Sequence, residues 1–226
     1  MRRRAASVIK GGTRLPRRWF SRDTISVARD LIGCALTVEG EVVARIVESE
    51  AYLGLADPAS HAFRGPTPRA AIMFGLAGHL YVYRSYGVHH CANIVTERDG
   101  VAGAVLLRGA VVETGEDMVR HRRGAHVSTS SLLRGPGNLC RGLGVTLQDN
   151  GVDLCAASAR LHVLDRSAEP PVIVGRRVGI TAGADEPLRF AWEGHPAVSA
   201  PVPWRTGARA DRQTTQTKEG PAERAL

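Results

Sequence analysis

The alternation of apolar and polar residues along the chain predicts several short β-strands. Two valine-containing runs are joined at Glu39-Gly40 and suit a hairpin. The run HLYVYR has the two-residue period of a strand, and GAVLLRGAV is apolar enough for a well-buried one. The predicted strands cover residues 35–38, 41–50, 79–84, 103–111, 172–180 and 188–192.

Helices are predicted between some of these strands. One begins after Ser21 or Asp23, either of which is a suitable N-cap, and ends near residue 32, before Gly33. A charge-rich helix is predicted around 114–123, and another over 137–144. Strands joined by hairpins, with helices interspersed, favour an α+β fold: a single mixed domain with a curved, largely antiparallel sheet and surrounding helices.

The two ends of the 226-residue chain lack this periodicity. We predict a disordered basic leader at 1–18, a single domain at 19–205 and a disordered polar tail at 206–226. No apolar run approaches the roughly 20 residues of a membrane span, and no apolar segment follows the arginines at 2–4. We therefore expect no membrane contact and no signal peptide, and a cytoplasmic protein associated with the nucleoid through DNA.

The formal net charge of +8 suits a partner rich in phosphates, although residues 1–20 carry seven of the basic residues and no acidic one. A basic leader of this kind is usually a solvated tail. The four cysteines, at 34, 91, 140 and 155, match no metal or haem spacing, so we expect reduced thiols and neither a metal nor a cofactor. Both lysines, Lys10 and Lys218, fall in the predicted ends, which leaves the domain without a lysine amine.

Candidate chemistry is concentrated in one part of the sequence. All four tyrosines lie between residues 52 and 86, near Glu48, Glu50 and His61. Aromatic side chains can hold an unstacked nucleobase between their faces, although paired core tyrosines are the simpler interpretation. Glu48 and Glu50 are two apart in a predicted strand and share a face, so the pattern alone does not choose between them.

Several motifs together resemble the alkyladenine (3-methyladenine) DNA glycosylase family. They are ESEAYLG at 48–54, His61, LYVYRSYGVHHCAN at 80–93, AVLLR at 104–108, GPGNLC at 135–140, RVGI at 177–180 and PLRF at 187–190. The resemblance covers roughly residues 22–200. It implies a single mixed domain with an antiparallel sheet, and an enzyme that flips alkylated or deaminated purines out of duplex DNA and hydrolyses the base–sugar bond.

The resemblance also implies individual roles. Glu50 matches the catalytic carboxylate, which leaves Glu48 as a structural neighbour, and Arg108 matches the arginine that helps place the attacking water. Four residues match the base pocket, namely Tyr52, His61, Tyr83 and Asn93. Tyr86 matches the wedge that enters the duplex where the base was. Candidate phosphate contacts, chosen for their charge alone, are Arg64, Arg69, Arg84, Arg134 and Arg141.

The absence of a lysine in the predicted domain favours a monofunctional enzyme that leaves an abasic site, because strand-nicking glycosylases need an amine to form a Schiff base. We expect a monomer. Two alternatives stay open at this point: a module of the same fold that binds damaged bases or RNA without catalysis, and a metal-dependent hydrolase of nucleotides. The latter lacks any of the usual zinc-site patterns.

Overall fold

A computed structural model of the chain describes residues 12–202. Within this range nine strands form one sheet in which all pairings are antiparallel. The strands are β1 Ala35–Val38, β2 Val42–Tyr52, β3 Leu80–Ser85, β4 His89–Val95, β5 Ala104–Thr114, β6 Leu133–Arg134, β7 Leu161–Leu164, β8 Val172–Gly175 and β9 Arg189–Trp192. The α-helices are α1 Arg17–Phe20, α2 Thr24–Asp30, α3 Glu116–Arg123 and α4 Pro136–Leu143. None of the helices in this range is long and apolar enough to cross a membrane.

The sheet is open, and its central strand is β2. The strand order is β3-β4-β5-β2-β1-β7, with β6 added to β5. One edge of β2 pairs with β5, whereas its other edge pairs with β1 at residues 42–45 and with β9 at residues 48–50. The C-terminal half of β2 is therefore enclosed between β5 and β9, where water has least access.

Apolar packing fixes the helices to the sheet. Val27 and Ala28 of α2 are fully buried, and the hydroxyl of Ser49 on β2 donates to the Ala28 carbonyl at 2.7 Å. Helix α4 buries Leu139 and Leu143 in the same core as Ile46. Burying a leucine or isoleucine side chain stabilises the fold by about 1.5–3 kcal/mol, so this packing holds β2 in place.

The structure confirms the predicted fold class, a single α+β domain with an antiparallel sheet. Helix α2 begins after Asp23, whose carboxylate accepts from the Ser26 amide at 2.8 Å as an N-cap does. Strand β5 extends past residue 111 because its end pairs with the start of β2. Strand β8 stops at Gly175, and the following segment, predicted as strand, leaves the sheet to cover the end of β2.

Some elements were not predicted. The strand β4 opens with two histidines, which masks its pattern, and β6, β7 and α1 are short. Residues 12–18, included in the predicted leader, contact the sheet: Leu15 is buried and its amide donates to the Val163 carbonyl at 2.9 Å. The ordered contacts thus begin before residue 19, whereas residues 1–11 and the predicted tail at 206–226 lie outside the described residues.

Candidate active site

Two buried carboxylates mark the enclosed end of β2. Glu48 and Glu50 are both fully buried and, being two residues apart on a strand, project from the same face of the sheet. Burying a charge is costly unless partners compensate it, so the contacts of each carboxylate show what it can do.

An irregularity in β5 brings Arg108 to these carboxylates. Opposite Glu48 the register shifts: Gly109 pairs with Glu48 and Leu107 with Ser49, which leaves Arg108 as the extra residue of a β-bulge. Gly109 is required at this position, because a side chain there would come within 2.9 Å of the Ala197 carbonyl and 3.3 Å of Glu48. The bulge lets the Arg108 guanidinium contact both carboxylates.

Glu48 is fully engaged in structural contacts. One of its oxygens, Oε1, accepts from Arg189 at 2.7 Å, from the hydroxyl of Ser199 at 2.9 Å and from Arg108 at 3.2 Å. Its other oxygen, Oε2, accepts from the Ser199 amide at 2.5 Å. Arg189, itself buried, also donates to the carbonyls of residues 200 and 201. Glu48 therefore ties the C-terminal end of the described chain to the sheet, and its four hydrogen bonds all come from structural partners.

Glu50 has fewer and weaker partners. Its Oε1 accepts from the Val178 amide at 2.8 Å, and its Oε2 accepts from the Tyr52 hydroxyl at 3.0 Å and from Arg108 at 3.4 Å. Burial raises the pKa of Glu50 above its ordinary value, although Arg108, the Val178 amide and Tyr52 each pull it down. The result is a carboxylate that is a stronger base than an ordinary glutamate and is held in one orientation.

A cavity of about 290 Å³ opens beside this carboxylate. Four residues predicted for the base pocket line it together, and so does the predicted wedge, Tyr86. The structure thus brings together residues from 52 to 93 that the sequence only suggested were related. The predicted pocket residues are Tyr52, His61, Tyr83 and Asn93.

The walls of the cavity are fixed by contacts among its own side chains. His61 packs edge-on against Tyr83, with 4.6 Å between ring centroids, and its Nδ1 is 2.9 Å from the Tyr81 hydroxyl. Loss of surrounding water, with the positive charge of Arg69, lowers the pKa of His61 to about 4, so the ring is neutral at pH 7. Asn93, which also lines the cavity, donates its side-chain amide to the Tyr81 carbonyl at 3.1 Å.

Glu50 and Arg108 do not themselves line the cavity. Tyr52 lies between, because its ring lines the cavity while its hydroxyl donates to Glu50. The segment after β8 completes the cover: Val178 holds Glu50 through its amide, and Gly179 and Ile180 line the cavity. The carboxylate is thus one side chain away from the space that a ligand can enter.

Arg177 anchors this cover, and sequence reasoning assigned it no role. Its guanidinium forms a buried double contact with Asp57, at 2.5 and 2.8 Å, and lies 4.7 Å from the centre of the Tyr52 ring. It thereby fixes the Tyr52 ring and the neighbouring Val178 amide together. The RVGI motif at 177–180 carried this signal, but the pattern does not indicate that Arg177 contacts a residue 120 positions earlier.

Tyr86 stands at the tip of the hairpin between β3 and β4. It is 89% exposed, and its φ of 48° lies in the left-handed region, followed by Gly87 at 72°. The Val88 amide closes this tight turn by donating to the Ser85 carbonyl at 3.1 Å. A non-glycine residue in that region costs about 1–2 kcal/mol, so the fold tolerates strain to present an aromatic ring to solvent next to the cavity.

The five arginines predicted to contact phosphate are all exposed. Among residues 12–202, no carboxylate lies within 4.0 Å of any of them. Arg69 and Arg84 line the aromatic cavity, whereas Arg141 lines a separate cavity of about 690 Å³ between the hairpin, α3 and α4. Their charges are available to an anionic ligand. The five are Arg64, Arg69, Arg84, Arg134 and Arg141.

The described residues contain no group of three or more histidine, cysteine, aspartate or glutamate side chains placed to hold a metal ion. The four cysteines are unpaired thiols, and burial raises the pKa of each, that of Cys34 to about 12.

Comparisons with known proteins identify the family of the chain. Residues 18–196 match the family model described as methylpurine-DNA glycosylase. Curated relatives named with the words "3-methyladenine DNA glycosylase" include one from Mycobacterium sp. (strain KMS), which is 50% identical over 183 residues that cover 79% of this chain and 89% of the relative. A second, from Rhodopseudomonas palustris (strain BisB18), is 46% identical over 198 residues, which cover 88% of this chain and 96% of the relative.

Proposed function

We propose a mechanism and a substrate range for this chain, which belongs to the methylpurine-DNA glycosylase family and is a hydrolase that cuts N-glycosyl bonds of alkylated bases in DNA. The observation that carries the mechanism is the position of Glu50. It is a buried carboxylate of raised pKa, directly behind the wall of an aromatic cavity, with one oxygen held by a backbone amide.

In the proposed mechanism the damaged purine leaves the duplex and enters the cavity, while Tyr86 fills the gap it leaves. Extruding a base costs a few kcal/mol. Stacking on an aromatic side chain returns about 1–3 kcal/mol per base, and His61 and Tyr83 already form a fixed aromatic corner. The exposed arginines around the hairpin neutralise phosphates of the bound strand.

Glu50 then deprotonates a water molecule that attacks the sugar. In the free enzyme the Tyr52 ring and residues 178–180 shield the carboxylate, so the bound nucleotide has to open a path between them. A well-placed general base contributes about 10²–10⁴ in rate. The negative charge of Glu50 also stabilises the positive charge that develops on the sugar as the bond breaks.

One carboxylate is sufficient in this proposal. Purines alkylated at ring nitrogens carry a positive charge and depart without being protonated, so for them the acid–base pair of ordinary glycoside hydrolases is not needed, whereas a neutral base such as hypoxanthine takes up a proton from solvent as it leaves. Glu48, although close, is occupied by Arg189, Arg108 and Ser199. No lysine lies in the described residues, which supports hydrolysis without strand nicking.

We further propose a substrate range of 3-methyladenine, 7-methylguanine, hypoxanthine and ethenoadenine in duplex DNA, acted on by a monomer without a metal or cofactor. Asn93 supports discrimination against normal guanine, because it lines the base pocket with a polar side chain held by the Tyr81 carbonyl. Location in the compartment that holds the DNA follows from the substrate.

The test is release of free base from duplexes that each carry one of the four lesions, for the wild type, Glu50→Gln and Glu169→Gln. Glu169 is an exposed carboxylate far from β2 in the sequence and serves as the matched control. We expect release by the wild type and the control and almost none by Glu50→Gln, which should still bind lesion duplex. Binding without release by the wild type would instead identify a non-catalytic module of the same fold.

Two additions test the remaining statements. Activity that persists in a strong chelator is expected, whereas its loss would indicate a metal-dependent hydrolase. Borohydride is expected to trap no covalent adduct on damaged DNA, since a trapped adduct would require an amine nucleophile.

A further inference from the structure

The position of Arg69 differs from that of a simple phosphate contact. Its guanidinium lies over the ring of Tyr83, with Cζ 4.8 Å from the ring centre, and the residue lines the aromatic cavity. The same Tyr83 ring also packs against the rings of His61 and Tyr81, at 4.6 and 5.4 Å between centroids. In the free protein, therefore, a cation already occupies an aromatic surface of the pocket.

The charge of Arg69 acts on the pocket because nothing near it cancels it. No carboxylate among the described residues lies within 4.0 Å of its guanidinium. The influence is visible at His61, whose low pKa is caused first by loss of water and then by the charge of Arg69. The pKa of Tyr83 is also raised, mainly by burial and further by neighbouring groups. The phenol therefore stays neutral and supplies no negative charge to compensate that of Arg69.

An incoming base meets Arg69 in two ways. Any base that stacks on this face of Tyr83 must displace the guanidinium and forfeits its cation–π contact, which costs a neutral and a charged base the same. The displaced guanidinium stays tethered beside the cavity, where it repels a cationic base but not a neutral one. It can also donate to the ring-nitrogen and carbonyl acceptors of a neutral purine, one of which is lost when N7 is alkylated.

We propose that Arg69 is a specificity-determining residue that lowers the preference of the pocket for positively charged purines relative to neutral ones. The inference rests on the proposed function, since it needs the cavity to bind the flipped base. An aromatic surface by itself attracts a cationic base, but here Arg69 already occupies part of that surface.

The experiment compares Arg69→Gln with Arg84→Gln, a second exposed arginine that lines the same cavity but contacts no aromatic ring within it. Single-turnover excision is measured over a range of enzyme concentrations on duplexes that carry 7-methylguanine, which is cationic, or hypoxanthine, which is neutral. We expect the ratio of efficiencies, cationic over neutral, to rise about tenfold in Arg69→Gln. The change should lie in the half-saturation concentration rather than in the maximal rate.

The other outcomes are also decisive. For Arg84→Gln we expect the excision efficiency to fall equally for both lesions. If Arg69→Gln behaves in the same way, and the salt dependence of its DNA binding falls by about one phosphate contact, Arg69 contacts the DNA backbone and the inference is wrong. A wild type that releases neither base contradicts the proposed function itself, whereas an unchanged ratio with normal release contradicts only the role of Arg69. NMR titration adds a direct readout, since the pKa of His61 should rise from about 4 when Arg69 is replaced.

Discussion

Glu48 and Glu50 differ in their surroundings although they share a strand, a face and complete burial. Glu48 receives four hydrogen bonds, from two arginines and from the hydroxyl and amide of Ser199. Glu50 accepts one hydrogen bond from a backbone amide, one from a phenol hydroxyl and a longer one from Arg108. The first carboxylate faces structure on all sides, whereas the second is one tyrosine away from a cavity.

This comparison shows that burial alone does not define a catalytic carboxylate. Charge neutralisation at Glu48 is complete, and a buried pair of that kind is broken only at a large cost in stability. At Glu50 the compensation is partial, and burial raises its pKa above the ordinary value. If the two sites are as distinct as their contacts indicate, substitutions at them should separate activity from stability.

The largest expected effect is on catalysis at Glu50. Replacing Glu50 with Gln removes the general base but keeps the shape of the side chain, and Arg108 retains Glu48 as a partner. We expect the single-turnover excision rate to fall by about 10²–10⁴. The urea midpoint of unfolding should change much less than in the Glu48 variant. A Glu50→Gln enzyme with a near-normal rate would assign the base to another residue.

The second effect concerns stability at Glu48. In Glu48→Gln the amide cannot neutralise Arg189, which is almost fully buried. We therefore expect the free energy of unfolding, measured in urea, to fall by about 3–5 kcal/mol. At a temperature where the variant stays folded, its excision rate should be closer to the wild-type rate than that of Glu50→Gln. A variant that is stable but inactive would reverse the roles given to the two carboxylates.

A smaller effect is expected from the hydroxyl that connects Glu50 to the cavity wall. Tyr52→Phe keeps the ring and its stacking with Arg177 but removes the hydrogen bond to Glu50. Without this hydrogen bond the carboxylate is no longer held in one orientation, so we expect a roughly tenfold slower single-turnover rate at a pH where Glu50 is fully ionised. Tyr81→Phe is the matched comparison, because it removes a hydroxyl that contacts His61 and not Glu50. Equal losses in both variants would mean that the hydroxyls act only through the shape of the cavity.

The same comparison explains how much of the molecule the sequence predicts. Local patterns are sufficient for the capped helix α2 and for the hairpin of β1 and β2, because their signals lie within a few residues. They did not choose between Glu48 and Glu50, since residues with the same parity in a strand share a face. The choice required the family resemblance, and the contacts given above now supply its physical reason.

The contacts that distinguish the two carboxylates are remote in the sequence. Val178 reaches Glu50 across 128 positions, and Ser199 reaches Glu48 across 151. The RVGI and PLRF motifs contained Arg177 and Arg189, but no local period indicates which side chain an arginine will neutralise. Arg69 illustrates the same limit, because its charge predicted a phosphate contact and its position in the fold places it on Tyr83.

The smallest effect sharpens the comparison through pH. Glu50 must be ionised to accept a proton, and burial raises its pKa above the ordinary value of 4.5, so the excision rate should fall as the pH drops through a midpoint above 4.5. His61 is already neutral above pH 4 and adds no ionisation in this range. Because the Tyr52 hydroxyl lowers the pKa of Glu50, the midpoint should move to higher pH in Tyr52→Phe and stay in place in Tyr81→Phe. A rate–pH profile for the three proteins therefore tests whether the reacting carboxylate is the one that Tyr52 contacts. A midpoint that stays unchanged in Tyr52→Phe would exclude Glu50 as the titrating base.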